Sequence, residues 1–290
     1  MFNITKLLKK NEIIPMTFDL MFTEIFNNEE NIELLEEFIA YYMDIPLEDV
    51  KGNLKLLSRN LKKKNLKSSK KEVDLLLDLK GKKYNIELSN KWNQGIKDRN
   101  VVFLSNIHGE QLKRGFNDYS EIEETIQINL NNFDEEEEIK TSYYFTNEKG
   151  EILSKKCRID VINLEKGSKM SYTSDERINK LIDWCKVFRS TTEEELIRYS
   201  KKVLSKKSST KLVNEVKRLS GDDEMLEGLD LNSKRDLEYK SLLYELYEEK
   251  EKVKQEKLEI AKNLLNINVS IEDISKATGL SKEEIDKMIN

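Results

Sequence analysis

Val73, Leu75, Leu77 and Leu79 alternate with more polar residues, as do Tyr84, Ile86 and Leu88, so each run predicts a β-strand with one buried face. Lys80-Gly81 between them predicts a two-residue turn of the primed type. That turn fixes a register in which Leu79 faces Lys82, Leu77 faces Tyr84 and Asp74 faces Glu87. Val73, Leu75, Leu77, Tyr84, Ile86 and Leu88 then share the core face. Asp74, Asp78, Asn85, Glu87 and Ser89 gather on the other face, the candidate site. Asp74 and Glu87 stand side by side there, as two carboxylates sharing one metal ion would. An amphipathic hairpin with solvent-facing acids, Asp78 paired to Lys83 across the strands, gives the same pattern.

Elsewhere the pattern predicts a helix over Asp19–Phe26, with Phe22 and Phe26 four apart, and a second over Asn31–Met43. Pro46 marks a boundary, and Asn53–Leu57 is a candidate first strand. A helix from about Gln94 to Lys113 carries Ile96, Phe103, Leu104 and Ile107. Thr125–Leu130, Thr141–Phe145 and Arg158–Leu164 read as further strands, with an acidic loop at Asp134–Glu138. After Ser174 only helices are predicted: Ile178–Phe188, Glu193–Val203, Thr210–Leu219 and a long one over Lys234–Asn266. Its heptad positions Tyr239, Leu246, Val253 and Ile260 have polar companions, which argues against a coiled coil. The tail predicts two short helices capped by Ser270 and Ser281 around Gly279, similar to a helix-turn-helix or to a plain helical cap. The expected organisation is residues 1–174, a helical part at 175–267 and the tail at 268–290.

Lys plus Arg (50) nearly balance Asp plus Glu (55), so net charge names no partner. Its distribution is more telling: Lys51–Lys71 contains no acid, and Lys62, Lys63, Lys64 and Lys67 within it are candidate phosphate contacts. A solvated loop is the other reading of that run. Two cysteines without zinc or disulfide spacing suggest a reducing, cytoplasmic setting. No run of about 18 apolar residues predicts a membrane span. The single histidine, His108, excludes sites built on several imidazoles, and no Gly-rich phosphate loop is present.

Asp19-x-x-Phe22-x-x-x-Phe26, then Asp74, the Gly81 turn, Tyr84-Asn-Ile-Glu87 and Arg99 form an ordered set. Gln111-Leu-Lys-Arg-Gly115, Leu219-Ser-x-Asp222 and Thr278-Gly-Leu-Ser-x-Glu-Glu-Ile285 extend it. Taken together they resemble the PD-(D/E)XK nuclease superfamily, and more closely its transposase-associated, recombination-promoting nucleases. The resemblance implies an α/β (α+β) fold: a restriction-endonuclease-like αβββαβ core, its mixed sheet flanked by helices, followed here by an all-helical C-terminal region. It implies a metal-dependent DNA endonuclease in which Asp74 and Glu87, assisted by the Leu88 carbonyl, hold Mg²⁺ or Mn²⁺. Asp19 is a further catalytic candidate and Arg99 a nucleic-acid contact. DNA is the implied partner, no membrane is expected, and a homodimer is compatible.

One position departs from the family. Two residues after the Glu the superfamily has Lys and this family usually Gln, whereas here Glu87-Leu-Ser89 ends in Ser. Ser89, a catalytic candidate by position, can hydrogen-bond a water but is shorter than either and carries no charge to offset the phosphate; Lys91 is the candidate substitute. Lys91 would point to the same face if the strand continued. The alternative is a catalytically degenerate nuclease fold acting as a DNA- or protein-binding module, and a helical adaptor ranks third.

Overall fold

A computed structural model describes residues 12–59, 72–112 and 118–222, then 252, 255–266, 269–281 and 285. Among the described residues, α1 (Asp19–Phe26), α2 (Ile32–Met43) and the short α3 (Leu47–Val50) after Pro46 come first. Strands β1 (Leu54–Leu56), β2 (Leu75–Leu79) and β3 (Lys82–Ser89) follow, then helix α4 (Ile96–Glu110) and strands β4 (Thr125–Asn131), β5 (Lys140–Tyr144) and β6 (Cys157–Asn163). Helices α5 (Leu164–Lys169), α6 (Glu176–Arg189), α7 (Glu193–Val203) and α8 (Lys206–Ser220) complete this part.

The six strands form one mixed sheet in the order β1-β2-β3-β4-β6-β5. β1, β2 and β3 are antiparallel neighbours, β3, β4 and β6 run parallel, and β5 returns antiparallel along the edge. The hairpin has the expected register, with Leu79 opposite Lys82 and Leu77 opposite Tyr84. Lys80 and Gly81 both have positive φ, 53° and 94°, as a type I′ turn requires. The crossover from β3 to β4 is long enough to carry α4, as a parallel pair demands.

Both faces of this sheet are covered. Tyr84, Ile86, Leu88, Ile126, Ile128 and Ile162 are buried on one face, where the Tyr42 hydroxyl of α2 donates to Asp160 of β6 at 2.6 Å. Arg158 adds a bond to the same carboxylate at 3.0 Å, so a charged pair buried on that face is also hydrogen-bonded. Behind it, rings from α1, α2 and α6 interlock: Phe38 meets Trp184 edge-on at 5.0 Å, and Phe22 and Phe26 lie 6.2 and 5.9 Å from Phe188. This aromatic cluster sets where the N-terminus of α1 points.

The opposite face carries the polar residues of the hairpin and is covered too, which does not fit the alternative of a hairpin with solvent-facing acids. Helix α4 lies over it: Val73, Leu76, Phe103 and Ile107 form one apolar cluster with Leu57. Val73 therefore faces α4 rather than sharing the face of Leu75 and Leu77. The chain bends at Asp74, just before β2 begins, and the bend breaks the strict alternation. The helices after Ser174 pack on the same core through Trp184 and Phe188. The chain divides instead at 225, into Met1–Met225 and Leu226–Asn290, so the division between compact units does not coincide with the boundary expected at 174.

Within the second unit, residues 255–266 and Ile271–Thr278 are helical. Ser270 caps the latter by accepting from the Asp273 amide, and Gly279 ends it in the left-handed region at φ 72°. Ala261, Ile274, Leu280 and Ile285 form its apolar centre. Most of the long helix expected from Lys234, and most of the short helix expected after Ser281, lie outside the described residues.

Candidate active site

Strands β3 and β4 are parallel, and ligands of open α/β sheets bind beyond the carboxyl ends of such strands. Asp74, Glu87, Ser89, Asn90 and Asn132 all lie at that end, because β2 runs antiparallel to β3 and so begins where β3 finishes. Asp74 is 3% exposed and Glu87 0%. Asp74 is bound to β3 through both its amide and its carboxylate. The Asp74 amide donates to Glu87 Oε1 at 3.0 Å, and the Leu88 amide donates to Asp74 Oδ2 at 2.9 Å. The N–H and C=O of one residue in a strand lie along the same edge. The Leu88 carbonyl therefore faces the same side of β3 as Asp74.

Two carboxylates and one carbonyl are hard oxygen donors. Among the described residues no three His, Cys, Asp or Glu side chains converge to hold a metal. Such a sparse set suits Mg²⁺, which binds through one or two carboxylates and keeps several waters, and it fits Mn²⁺ for the same reason. The surroundings are polar and buried. Asn85 donates to Gln127 at 2.6 Å and Gln127 to Asn129 at 3.0 Å beneath α4. Arg99 Nε, Asn100 Oδ1 and Asn131 Oδ1 are buried without a protein hydrogen-bond partner. Atoms of that kind normally bond ordered water or an ion.

Helix α4 brings a positive charge to this end. Arg99 Nη2 donates to Ser89 Oγ at 2.9 Å, and its guanidinium lies 5.9 Å from the Phe103 ring centre. Ser89 is buried and lies in register with Asn131. Lys91 does not meet the condition set for it, since β3 ends at Ser89 and Lys91 is exposed in the following bend. Asp19, the first residue of α1, reaches the site through a relay: Asn90 donates to it at 3.3 Å, and Asn132 donates to Asn90 at 3.1 Å. Arg189 of α6 donates in turn to Asn132. Lys62, Lys63, Lys64 and Lys67 lie outside the described residues.

The hairpin pattern anticipated the adjacency of Asp74 and Glu87 but not the relay. Asn90 and Asn132, each directly after a parallel strand, were a positional signal, because side chains there stand at the switch point of the sheet. The grip of Arg99 on Ser89 had no local signature, as it depends on where α4 crosses β3.

A mixed six-stranded sheet with helices on both faces and an acidic hairpin beside a crossover helix defines a PD-(D/E)XK-like fold. The family model described as PD-(D/E)XK nuclease family transposase matches residues 16–245, and the chain belongs to that family. No curated protein and no solved structure matches the chain. Among the described residues no helix is long and apolar enough to cross a membrane.

Proposed function

We propose that this chain is a metal-dependent DNA endonuclease that hydrolyses phosphodiester bonds in transposition or recombination. The observation that carries the reading is the contact of two buried acids, the Asp74 amide bound to the Glu87 carboxylate, at the carboxyl end of β3. Asp74 and Glu87, with the Leu88 carbonyl, would hold Mg²⁺ or Mn²⁺. When bound, such a cation supplies an activated water and offsets charge on the phosphate.

Arg99 answers the absence of Lys or Gln at position 89. Its guanidinium is always protonated and carries several donors, so it can neutralise a phosphate oxygen while Ser89 orients it. Asp19 acts at one remove, by orienting Asn90. This reading favours an active site over a degenerate one, because a cation is present on the same face as the acids.

Conversion of supercoiled plasmid to nicked or linear DNA tests it. Wild type should act only with Mg²⁺ or Mn²⁺, and Asp74→Ala should abolish the activity. A wild type that binds DNA yet cleaves none with either metal would favour the binding-module reading.

A further inference from the structure

Trp92 is 56% exposed, whereas Trp184, the chain's other tryptophan, is 1% exposed in the core. Tryptophan is the side chain with the most apolar surface to lose by standing in water, so an exposed and fixed one calls for a ligand. This one is fixed. Its indole N–H donates to Glu135 Oε1 at 3.0 Å, and Lys97 holds the same oxygen at 3.2 Å. Lys97 also approaches Glu136 at 3.6 Å, and the Tyr143 hydroxyl donates to Glu136 at 2.8 Å. Tyr143 is exposed as well. The two acids thus bind an aromatic, a cation and a second aromatic into one rim.

That rim borders the candidate site. Trp92 is two residues beyond Asn90, which bonds Asp19 and Asn132. Glu135 is three residues beyond Asn132, and Lys97 precedes Arg99 by two on α4. With the indole N–H already satisfied by Glu135, what the ring offers a ligand is a flat π-face. Lys91 precedes Trp92 in the chain and is exposed, and Lys97, exposed as well, shares the Glu135 oxygen with the indole. Stacked bases with phosphates alongside meet that chemistry; sequence-independent binding of single strands combines aromatic platforms with basic grooves in this way.

We propose that Trp92 is a stacking platform for an unpaired base of the bound DNA, next to the scissile phosphate, with Lys97 contacting the neighbouring backbone. The proposal rests on the nuclease reading for the position of the phosphate. Its test is run without metal, so that it reads binding and not cleavage.

Tryptophan emission is followed while a single-stranded thymidine oligonucleotide is added to wild type and to Trp92→Phe. The part of the signal missing in Trp92→Phe belongs to Trp92, which leaves the buried Trp184 untouched. The Trp92 signal should be quenched to saturation, and an abasic strand of equal charge should quench it far less. Trp92→Ala should weaken oligonucleotide binding by roughly 5- to 150-fold, the equivalent of one lost base stack, and Trp92→Phe should retain most of the affinity. Equal binding by wild type and Trp92→Ala, or equal quenching by the abasic strand, would overturn the proposal. Cleavage with unaltered Trp92→Ala binding would leave the nuclease reading standing alone; quenching without any metal-dependent cleavage would leave only the platform.

Discussion

Glu87 accepts the main-chain amide of Asp74 at 3.0 Å, while the Asp74 carboxylate binds the amide of the residue after Glu87, Leu88, at 2.9 Å. The pair replaces ladder hydrogen bonds where β2 bends away from β3. Each acid therefore has a structural duty beside any chemical one. Glu87→Ala leaves a buried amide without its acceptor, which costs about 1–3 kcal/mol. Glu87→Gln keeps an acceptor oxygen and should cost clearly less. Urea denaturation midpoints of the two variants check the order, and it matters because Glu87→Gln is then the cleaner probe of chemistry.

Arg99 separates rate from affinity. If its guanidinium meets charge that builds on the phosphate in the transition state, Arg99→Ala should lower the single-turnover cleavage rate by roughly 10²–10³-fold. DNA affinity should fall far less, and Arg99→Lys should recover only part of the rate, since a point charge does not reproduce a planar fork. A loss confined to affinity would reduce Arg99 to an ordinary backbone contact.

The hairpin illustrates what a sequence discloses. Its register follows from one dipeptide and an alternating pattern, both local, and Asp74 and Glu87 come with it. Three features depend on long-range packing instead. The bend at Asp74 moves Val73 beneath α4, which no period-two pattern anticipates. The polar face is buried because Phe103 and Ile107 of α4 close over it, so its Asn and Gln residues form a ladder rather than a wet surface. The strand stops at Ser89, before Lys91, and Arg99 reaches Ser89 from a helix. The helices after Ser174 looked separate because their apolar faces match those of α1 and α2, which precede them by about 150 positions.

Lys80 holds a left-handed conformation, φ 53°, in which side chains other than Asn and Asp are strained. Lys80→Asn should stabilise the protein by roughly 0.5–1 kcal/mol, since the exposed Lys80–Asp49 contact at 3.8 Å contributes little. Gly81→Ala should do the reverse: φ is 94° and its new Cβ would stand 3.0 Å from Glu123 Cγ. Thermal unfolding checks both, with melting temperatures moving in opposite directions.

His108 bonds Thr125 at 2.9 Å, and burial holds its pKa below the ordinary value, with the charge of Lys156 adding to the effect. The unfolded chain thus takes up the proton first. Stability should be unaffected by this group above about pH 6.5 and should fall as pH drops from there towards the lowered folded-state pKa. His108→Gln should remove that part of the pH dependence. As the chain has one histidine, its imidazole resonance can be titrated without assignment, and a midpoint at or above the ordinary value would contradict the account.

The central claim is that Asp74 and Glu87 form a cation site, and Mn²⁺ binding followed by electron paramagnetic resonance tests it most directly. Wild type should take up Mn²⁺ at one site per chain, with Mg²⁺ competing, and Glu87→Gln should lose that site while its far-ultraviolet circular dichroism stays that of the folded protein. Undiminished Mn²⁺ binding by folded Glu87→Gln, or no specific binding by wild type, would contradict it.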